Sequence, residues 1–167
     1  MNDETVQTLT ADLCDTYDEA QVVAAHFIAV GGVRSCLGPV EIIVTDDDNS
    51  LVSSTLKEAG LGRILLVDNS GSRNCAMVGG DLARAAHENG WQGIIVNGAI
   101  RDVVELEQVP IAIYTRYTCP RKSVKRGLGA LGQAARFVDV AVHPDDIAAA
   151  DADGVIIIPS AVFKGLI

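Results

Sequence analysis

Gly90-Trp91-Gln92-Gly93-Ile94-Ile95-Val96-Asn97-Gly98-Ala99-Ile100-Arg101-Asp102 is the stretch whose reading decides the fold. Ile94-Ile95-Val96 is a short β-branched run between glycines, the composition of a buried strand. Asn97-Gly98 reads as the turn that ends it. Arg101-Asp102 then stands just past the strand, where the rigid part of the fold meets solvent. A guanidinium beside a carboxylate can hold an anionic substrate next to a divalent metal. The same pair can equally be a surface ion pair of little consequence.

A second stretch, just upstream, favours the site. Val78-Gly79-Gly80-Asp81-Leu82-Ala83-Arg84-Ala85-Ala86 reads as a glycine-rich entry into a helix, with Asp81 capping the first turn and Gly90 stopping the last. Free backbone N–H groups at such a start attract an anion, by about 0.3–1 kcal/mol from the dipole alone. A helix start, one more strand and Arg101-Asp102 would gather amides, guanidinium and carboxylate in one cleft.

The rest of the composition suits this arrangement. The chain has 167 residues, the length of a single domain spanning 1–167. Hydrophobic residues are 49% and aromatics only 4%, so the core is built from Val, Ile, Leu and Ala, as in an α/β fold. A net charge of −9 argues against direct nucleic-acid binding through a phosphate-tracking surface. Cys14, Cys36, Cys75 and Cys119 have neither CxxC pairing nor zinc-like spacing and read as free thiols of a reducing compartment. The N-terminus lacks the basic and apolar parts of a signal peptide, and no apolar run approaches a membrane span. Cytoplasmic is the expectation, without membrane contact.

Thr10 reads as the cap of a short helix carrying Leu13 and Tyr17. Val40–Thr45 reads as a strand. The acidic run Asp46-Asp47-Asp48-Asn49 reads as a turn rather than a metal site, with Asn49 or Ser50 capping a helix that runs to Gly60. Gly62–Asp68 is the clearest strand, apolar enough to be buried on both faces. Ile111–Thr115, Phe137–Val142 and Val155–Ile158 read as further strands. The basic cluster from Cys119 to Gly127 reads as a solvated loop, with a substrate-facing role or a subunit contact as alternatives. Asp151-Ala152-Asp153-Gly154 lacks the flanking acids of a calcium loop and is a turn. His26, His87 and His143 match no ligand spacing. The later strands without helices between them point to mixed α/β layers rather than a pure doubly wound sheet.

Taken together, these pieces resemble the RraA-like family, which contains regulators of ribonuclease E activity and class II 4-hydroxy-4-methyl-2-oxoglutarate aldolases. The resemblance is carried by Thr10–Asp15, Gly31-Gly32, Asp48-Asn49, Gly62–Asp68, Gly71-Ser72, Val78–Gly80, Asn89–Gly93, Asn97–Asp102, Pro120–Ser123 and Asp151–Gly154, in order along nearly the whole length. It implies a swivelling β/β/α three-layer domain and a homotrimer, sometimes paired into a hexamer. It also implies a divalent cation, Mg2+ or Mn2+, on Asp102, with Arg101 on a small 2-oxo acid and the backbone at Gly79, Gly80, Asp81 and Leu82 on its carboxylate.

The activity so implied is C–C lysis of 2-oxo acids through a metal-stabilised pyruvate enolate, with Arg101 and Asp102 as the catalytic pair. The substrates would be 4-hydroxy-4-methyl-2-oxoglutarate, oxaloacetate, or both. Aldol cleavage needs a base to take a hydroxyl proton; the residues do not identify one, and a metal-bound water is the candidate. Longer aldolases of the family carry a C-terminal extension with an acidic residue. This sequence stops at Ile167, which makes decarboxylation the safer expectation. Pro144-Asp145-Asp146 stands where a Pro-Gly-Asp turn is usual, so an altered turn is expected there. The competing function is a non-enzymatic regulator that binds and inhibits ribonuclease E. In the family's enterobacterial regulators the residue after the arginine is commonly not aspartate, so Asp102 favours the enzyme. A menaquinone-pathway methyltransferase, an old label given to relatives, is rejected because no G-x-G-x-x-G follows a strand to cradle a nucleotide cofactor.

Overall fold

The computed structural model describes residues 9–165. Helix α1 (Leu9–Thr16) precedes two short strands, β1 (Gln21–Val22) and β2 (Ile28–Ala29), and the long β3 (Cys36–Val44). There follow α2 (Ser50–Leu56), β4 (Ile64–Asp68), β5 (Ala76–Val78), α3 (Gly80–Glu88), β6 (Gly93–Ile100), α4 (Val103–Leu106) and β7 (Ala112–Thr118). The remainder is strand and loop: β8 (Ala130–Leu131), β9 (Ala135–Phe137), β10 (Val140–Val142), β11 (Ile147–Asp151) and β12 (Gly154–Ile158).

Strands β3, β4, β6 and β7 pair in parallel, in that order. Their side chains alternate between two cores, which is why Gly62–Asp68 reads as apolar throughout its centre. Leu65, Val67, Ile94, Val96 and Ile113 face α2, α3 and α4, packing on Val52, Leu56, Ala83, Ala86 and Leu106. Ile64, Leu66, Ile95 and Tyr114 face the other way, onto Phe137, Val142, Ala148, Ala150, Val155 and Ile157. That second layer is the antiparallel set β11–β12–β1, whose far side (Ala149, Ile156, Ile158) is covered by Leu13 and Tyr17 of α1. Strand β3 belongs to both sheets: Cys36–Pro39 pair with β11, and Val40–Val44 with β4. The layering is the expected β/β/α arrangement, with α1 outside the second sheet. Among the described residues no helix is long and apolar enough to cross a membrane.

Several local expectations are corrected. Asn97-Gly98 does not end its strand; β6 runs on to Ile100, and the dipeptide forms a bulge against β7. Asn97 is absorbed there because its amide donates to Asp68 (2.9 Å), its side-chain oxygen accepts from Arg116 (3.1 Å), and its carbonyl takes the N–H groups of Asn69 and Gly71. Gly98 packs closely there: a Cβ would come within 3.1 Å of the Asn69 Cβ and require that side chain to give by a few tenths of an ångström. Phe137–Val142 is a hairpin of β9 and β10, turned at Val138 with φ +58°, so that Phe137, Val140 and Val142 all reach the inner core.

Helix α2 stops at Leu56, short of Gly60; Asn49 holds the N-cap position, as expected, but its side chain makes no capping bond. Asp48 instead receives the Ser50 N–H (2.8 Å) and hydroxyl (2.6 Å). Thr10 lies within α1, giving its N–H and hydroxyl to Asp151. The Ala-rich β11, without β-branched repetition, carries no strand signal in the sequence. Asp145 takes φ +69°, a conformation in which glycine is at home, while buried Asp146 receives the N–H groups of His143 and Ser160.

Candidate active site

Strands β5 and β6 pair in parallel and end side by side, Val78 opposite Ile100, with the Arg101 N–H on the Val78 carbonyl at 3.0 Å. From these two ends the chain enters α3 and α4. Asp102 adopts a left-handed conformation (φ +63°, ψ +39°), which aspartate tolerates better than most residues. Its carbonyl accepts the Leu106 N–H, starting α4, and its carboxylate reaches over the neighbouring helix start. Gly80 donates its N–H to Asp102 Oδ2 at 2.9 Å. The carboxylate that satisfies the first turn of α3 therefore comes from Asp102; Asp81, expected to cap that turn, points into solvent and pairs with Arg84 at 2.5 Å.

Gly79 has no room for a side chain, since a Cβ would lie 2.7 Å from Asp102 Oδ2 and 3.5 Å from the Arg101 Cγ and Nε. Ala83 is the first residue to bond back along α3, to the Gly79 carbonyl at 3.1 Å. The N–H groups of Asp81 and Leu82 are left without a backbone partner, as at any helix start.

These groups open into a cleft of about 320 Å³. Its other walls are Asn49, Ser53 of α2, Lys57 just past the end of α2, Ala76 of β5, and the loop after β7 through Lys122, Ser123 and Lys125. The basic segment read as a solvated loop is therefore a cleft wall, and Asp48 holds it there. The Asp48 carboxylate is fully buried and accepts the N–H groups of Arg126 (2.7 Å) and Leu128 (3.1 Å), besides the two bonds from Ser50. The Ser50 hydroxyl and these backbone donors hold its carboxyl well below the usual carboxylate range, against the opposing effect of burial. The Ser123 hydroxyl accepts from the Asn49 N–H at 3.1 Å, and Lys125 donates to the Asn49 side chain at 2.8 Å.

The cleft is cationic in an acidic protein. Lys57, Arg101, Lys122 and Lys125 face only Asp81 and Asp102 among its lining residues. Arg101 makes a single long contact, 3.4 Å to the Pro120 carbonyl, and Lys57 and Lys122 are unpaired among the described residues. Such a surface is complementary to an anion with more than one negative group. Among the described residues no three His, Cys, Asp or Glu side chains gather as metal ligands. Asp102 is exposed, and only its Oδ2 is bonded. One hard carboxylate in an open cleft fits a cation such as Mg2+ that keeps most of its water and takes further oxygens from a substrate.

A family described as Aldolase/RraA matches residues 10–157. The chain belongs to the Aldolase/RraA family. It is 38% identical over 154 residues to a Thermus thermophilus protein named 4-hydroxy-4-methyl-2-oxoglutarate aldolase, covering 92% of this chain and 94% of that protein. A Geobacillus kaustophilus structure titled S-adenosylmethionine: 2-dimethylmenaquinone methyltransferase superposes with a TM-score of 0.90 at 39% identity, covering 94% of this chain and 98% of that one. The RNA-processing inhibitor RraA from Thermus superposes with a TM-score of 0.89 at 38% identity, covering 96% and 99%.

Within this Aldolase/RraA chain the six positions singled out in the sequence, Gly79, Gly80, Asp81, Leu82, Arg101 and Asp102, line one cleft. Ser53 on the short helix α2 and Lys57 just past its end were missed, neither having a local signature. Lys122, Ser123 and Lys125 lay within a noted basic cluster, but their side of the molecule depends on the buried contacts of Asp48.

Proposed function

We propose that this chain is a divalent-metal-dependent lyase that breaks the C3–C4 bond of dicarboxylic 2-oxo acids. It would cleave 4-hydroxy-4-methyl-2-oxoglutarate to two pyruvates and decarboxylate oxaloacetate. The observation that carries the reading is the placement of Arg101 and Asp102 beside the start of α3, inside a cleft with an excess of cations. Relatives named as the aldolase support it.

The N–H groups of Asp81 and Leu82 receive the substrate's C1 carboxylate, favoured by the helix dipole by about 0.3–1 kcal/mol. Arg101 directs its fork of donors at the oxygen on C2, where negative charge grows as the C3–C4 bond breaks. Lys57, Lys122 and Lys125 take the C5 carboxylate of 4-hydroxy-4-methyl-2-oxoglutarate and attract the dianion of oxaloacetate, whose C4 carboxylate leaves as carbon dioxide. Asp102 holds the cation, oriented through the Gly80 N–H. When bound, Mg2+ or Mn2+ supplies a Lewis acid for the 2-oxo carbonyl.

The test is pyruvate release from oxaloacetate by the purified protein, with Mg2+, with EDTA and with Asp102→Asn. Turnover that needs the metal and is lost in the variant is the expected result. Turnover no faster than the spontaneous metal-catalysed background, with any divalent cation, overturns the reading.

A second reading, a protein that binds and inhibits ribonuclease E, has the RraA structure from Thermus in its favour. It predicts slower RNA cleavage by ribonuclease E in the presence of this chain, to the same extent with Asp102→Asn as with the wild type.

A further inference from the structure

The run Asp46-Asp47-Asp48-Asn49 follows β3 with three carboxylates and one amide, and of the four only the amide lines the cleft. Asp48 is turned inward, its carboxylate spent on Ser50, Arg126 and Leu128. Asp47 is turned toward Asn69 and Asn74. Asn49 makes three bonds. Its backbone N–H donates to the Ser123 hydroxyl at 3.1 Å, its Nδ2 donates to the Met77 carbonyl of β5 at 3.1 Å, and its Oδ1 accepts from Lys125 Nζ at 2.8 Å.

These partners fix the amide's orientation, since a flipped amide would set oxygen against the Met77 carbonyl and N–H groups against an ammonium. The side chain therefore ties a lysine of the mobile-stemmed kind, carried on a loop, to a strand buried in the sheet. Resting on the function proposed above, we propose that Asn49 is a positioning residue for dicarboxylate preference: as a neutral acceptor it holds the Lys125 ammonium at the cleft without cancelling its charge.

One Nζ donor goes to Asn49, and two remain for a ligand's carboxylate. Part of the freedom that a lysine side chain loses on gripping a ligand is already lost in the free protein. An aspartate in the same place would also hold Lys125, but as an ion pair, and would turn an oxygen instead of a donor toward the Met77 carbonyl.

The test uses two non-reacting probes, 2-oxoglutarate and 2-oxopentanoate, which differ in a C5 carboxylate against a C5 methyl. Their affinities are measured by calorimetry with Mg2+ on the wild type, Asn49→Asp, Asn49→Ala, Lys125→Met and the double variant Asn49→Asp/Lys125→Met. The wild type is expected to prefer 2-oxoglutarate. Asn49→Asp and Lys125→Met should each lower that preference by about 10-fold, the worth of one hydrogen bond to a charged group, and the double variant no further than either alone. Asn49→Ala leaves the lysine charged but untethered, so its preference should fall between those of wild type and Asn49→Asp; it carries the test by itself if Asn49→Asp does not fold. A general weakening of the fold would lower both affinities together and leave their ratio alone. An unchanged ratio in the Asn49 variants, or losses that multiply in the double variant, overturns the role of Asn49. A wild type with no preference for 2-oxoglutarate overturns it as well. A wild type that shows the expected ratios but releases no pyruvate from oxaloacetate or 4-hydroxy-4-methyl-2-oxoglutarate overturns the underlying lyase function and leaves the tether standing as a feature of anion binding.

Discussion

Gly80 gives its backbone N–H to Oδ2 of Asp102 across 2.9 Å, so the start of α3 and the start of α4 share one carboxylate. The two glycines beside that bond are not equivalent. A Cβ on Gly79 would press on the short, doubly constrained Asp102 side chain at 2.7 Å, whereas one on Gly80 would meet the Glu105 Oε2, the far end of a flexible and exposed chain. Gly79→Ala is expected to fold with wild-type circular dichroism but to lose pyruvate release by about 100-fold, the effect of an ångström's displacement at a catalytic group. Gly80→Ala should swing Glu105 aside, with stability changed by about 0.5 kcal/mol or less. Equal activity in the two variants would show that Asp102 does not depend on this contact.

Among the described residues Arg101 has no partner beyond the long contact to Pro120, so its guanidinium is available to a ligand. Arg101→Lys keeps the charge and removes the planar fork. If Arg101 serves the charge that develops on C2, kcat falls by about 100- to 1000-fold with a much smaller change in KM. A variant that raises KM and spares kcat would place Arg101 in ground-state binding only.

The sequence made some of this legible and hid the rest for identifiable reasons. Gly62–Asp68 announced a strand buried on both faces because its centre, Ile64–Val67, is apolar at every inward and outward position. Gly79-Gly80 before a small-residue run announced a helix start. The dipeptide Asn97-Gly98 misled because a turn and a bulge want the same residues; only Asp68, Asn69 and Arg116, contributed by neighbouring strands, decide between them. Asp102 took the capping role expected of Asp81 for a similar reason. A cap is read locally, while this helix start takes its carboxylate from 22 residues downstream. Among four consecutive polar residues, nothing local marks Asp48 as the buried one, yet it sets where the basic wall of the cleft lies.

Two of the free cysteines are poor nucleophiles by placement. Burial pushes the Cys36 thiol up to about 12. Burial first, and then the Asp47 carboxylate, pushes Cys75 up to about 11. Since the thiolate is the reacting form, iodoacetamide at pH 8 should leave both unmodified in the native protein and label both once it is denatured. Peptide mass spectrometry after a timed reaction checks this. Native Cys75 labelled as fast as free cysteine would mean that its strand opens readily.

Asp48 makes acid the selective stress on the cleft. Its folded pKa lies below the unfolded value of about 3.9, so its stabilising effect is fully present above that value and is lost as pH falls through the folded one. This group therefore leaves the urea midpoint flat between pH 7 and pH 5 and lowers it below about pH 4. Asp48→Asn tests the cause. An amide turns two N–H donors toward a pocket already filled with the donors Ser50, Arg126 and Leu128, so the variant should be less stable at pH 7 and show a shallower fall in acid. Because Arg126 and Leu128 anchor the loop that carries Lys122 and Lys125, KM for oxaloacetate should rise in the variant while the protein is still folded. A variant with the wild-type midpoint at pH 7 and the wild-type acid slope would show that the loop is held by other contacts.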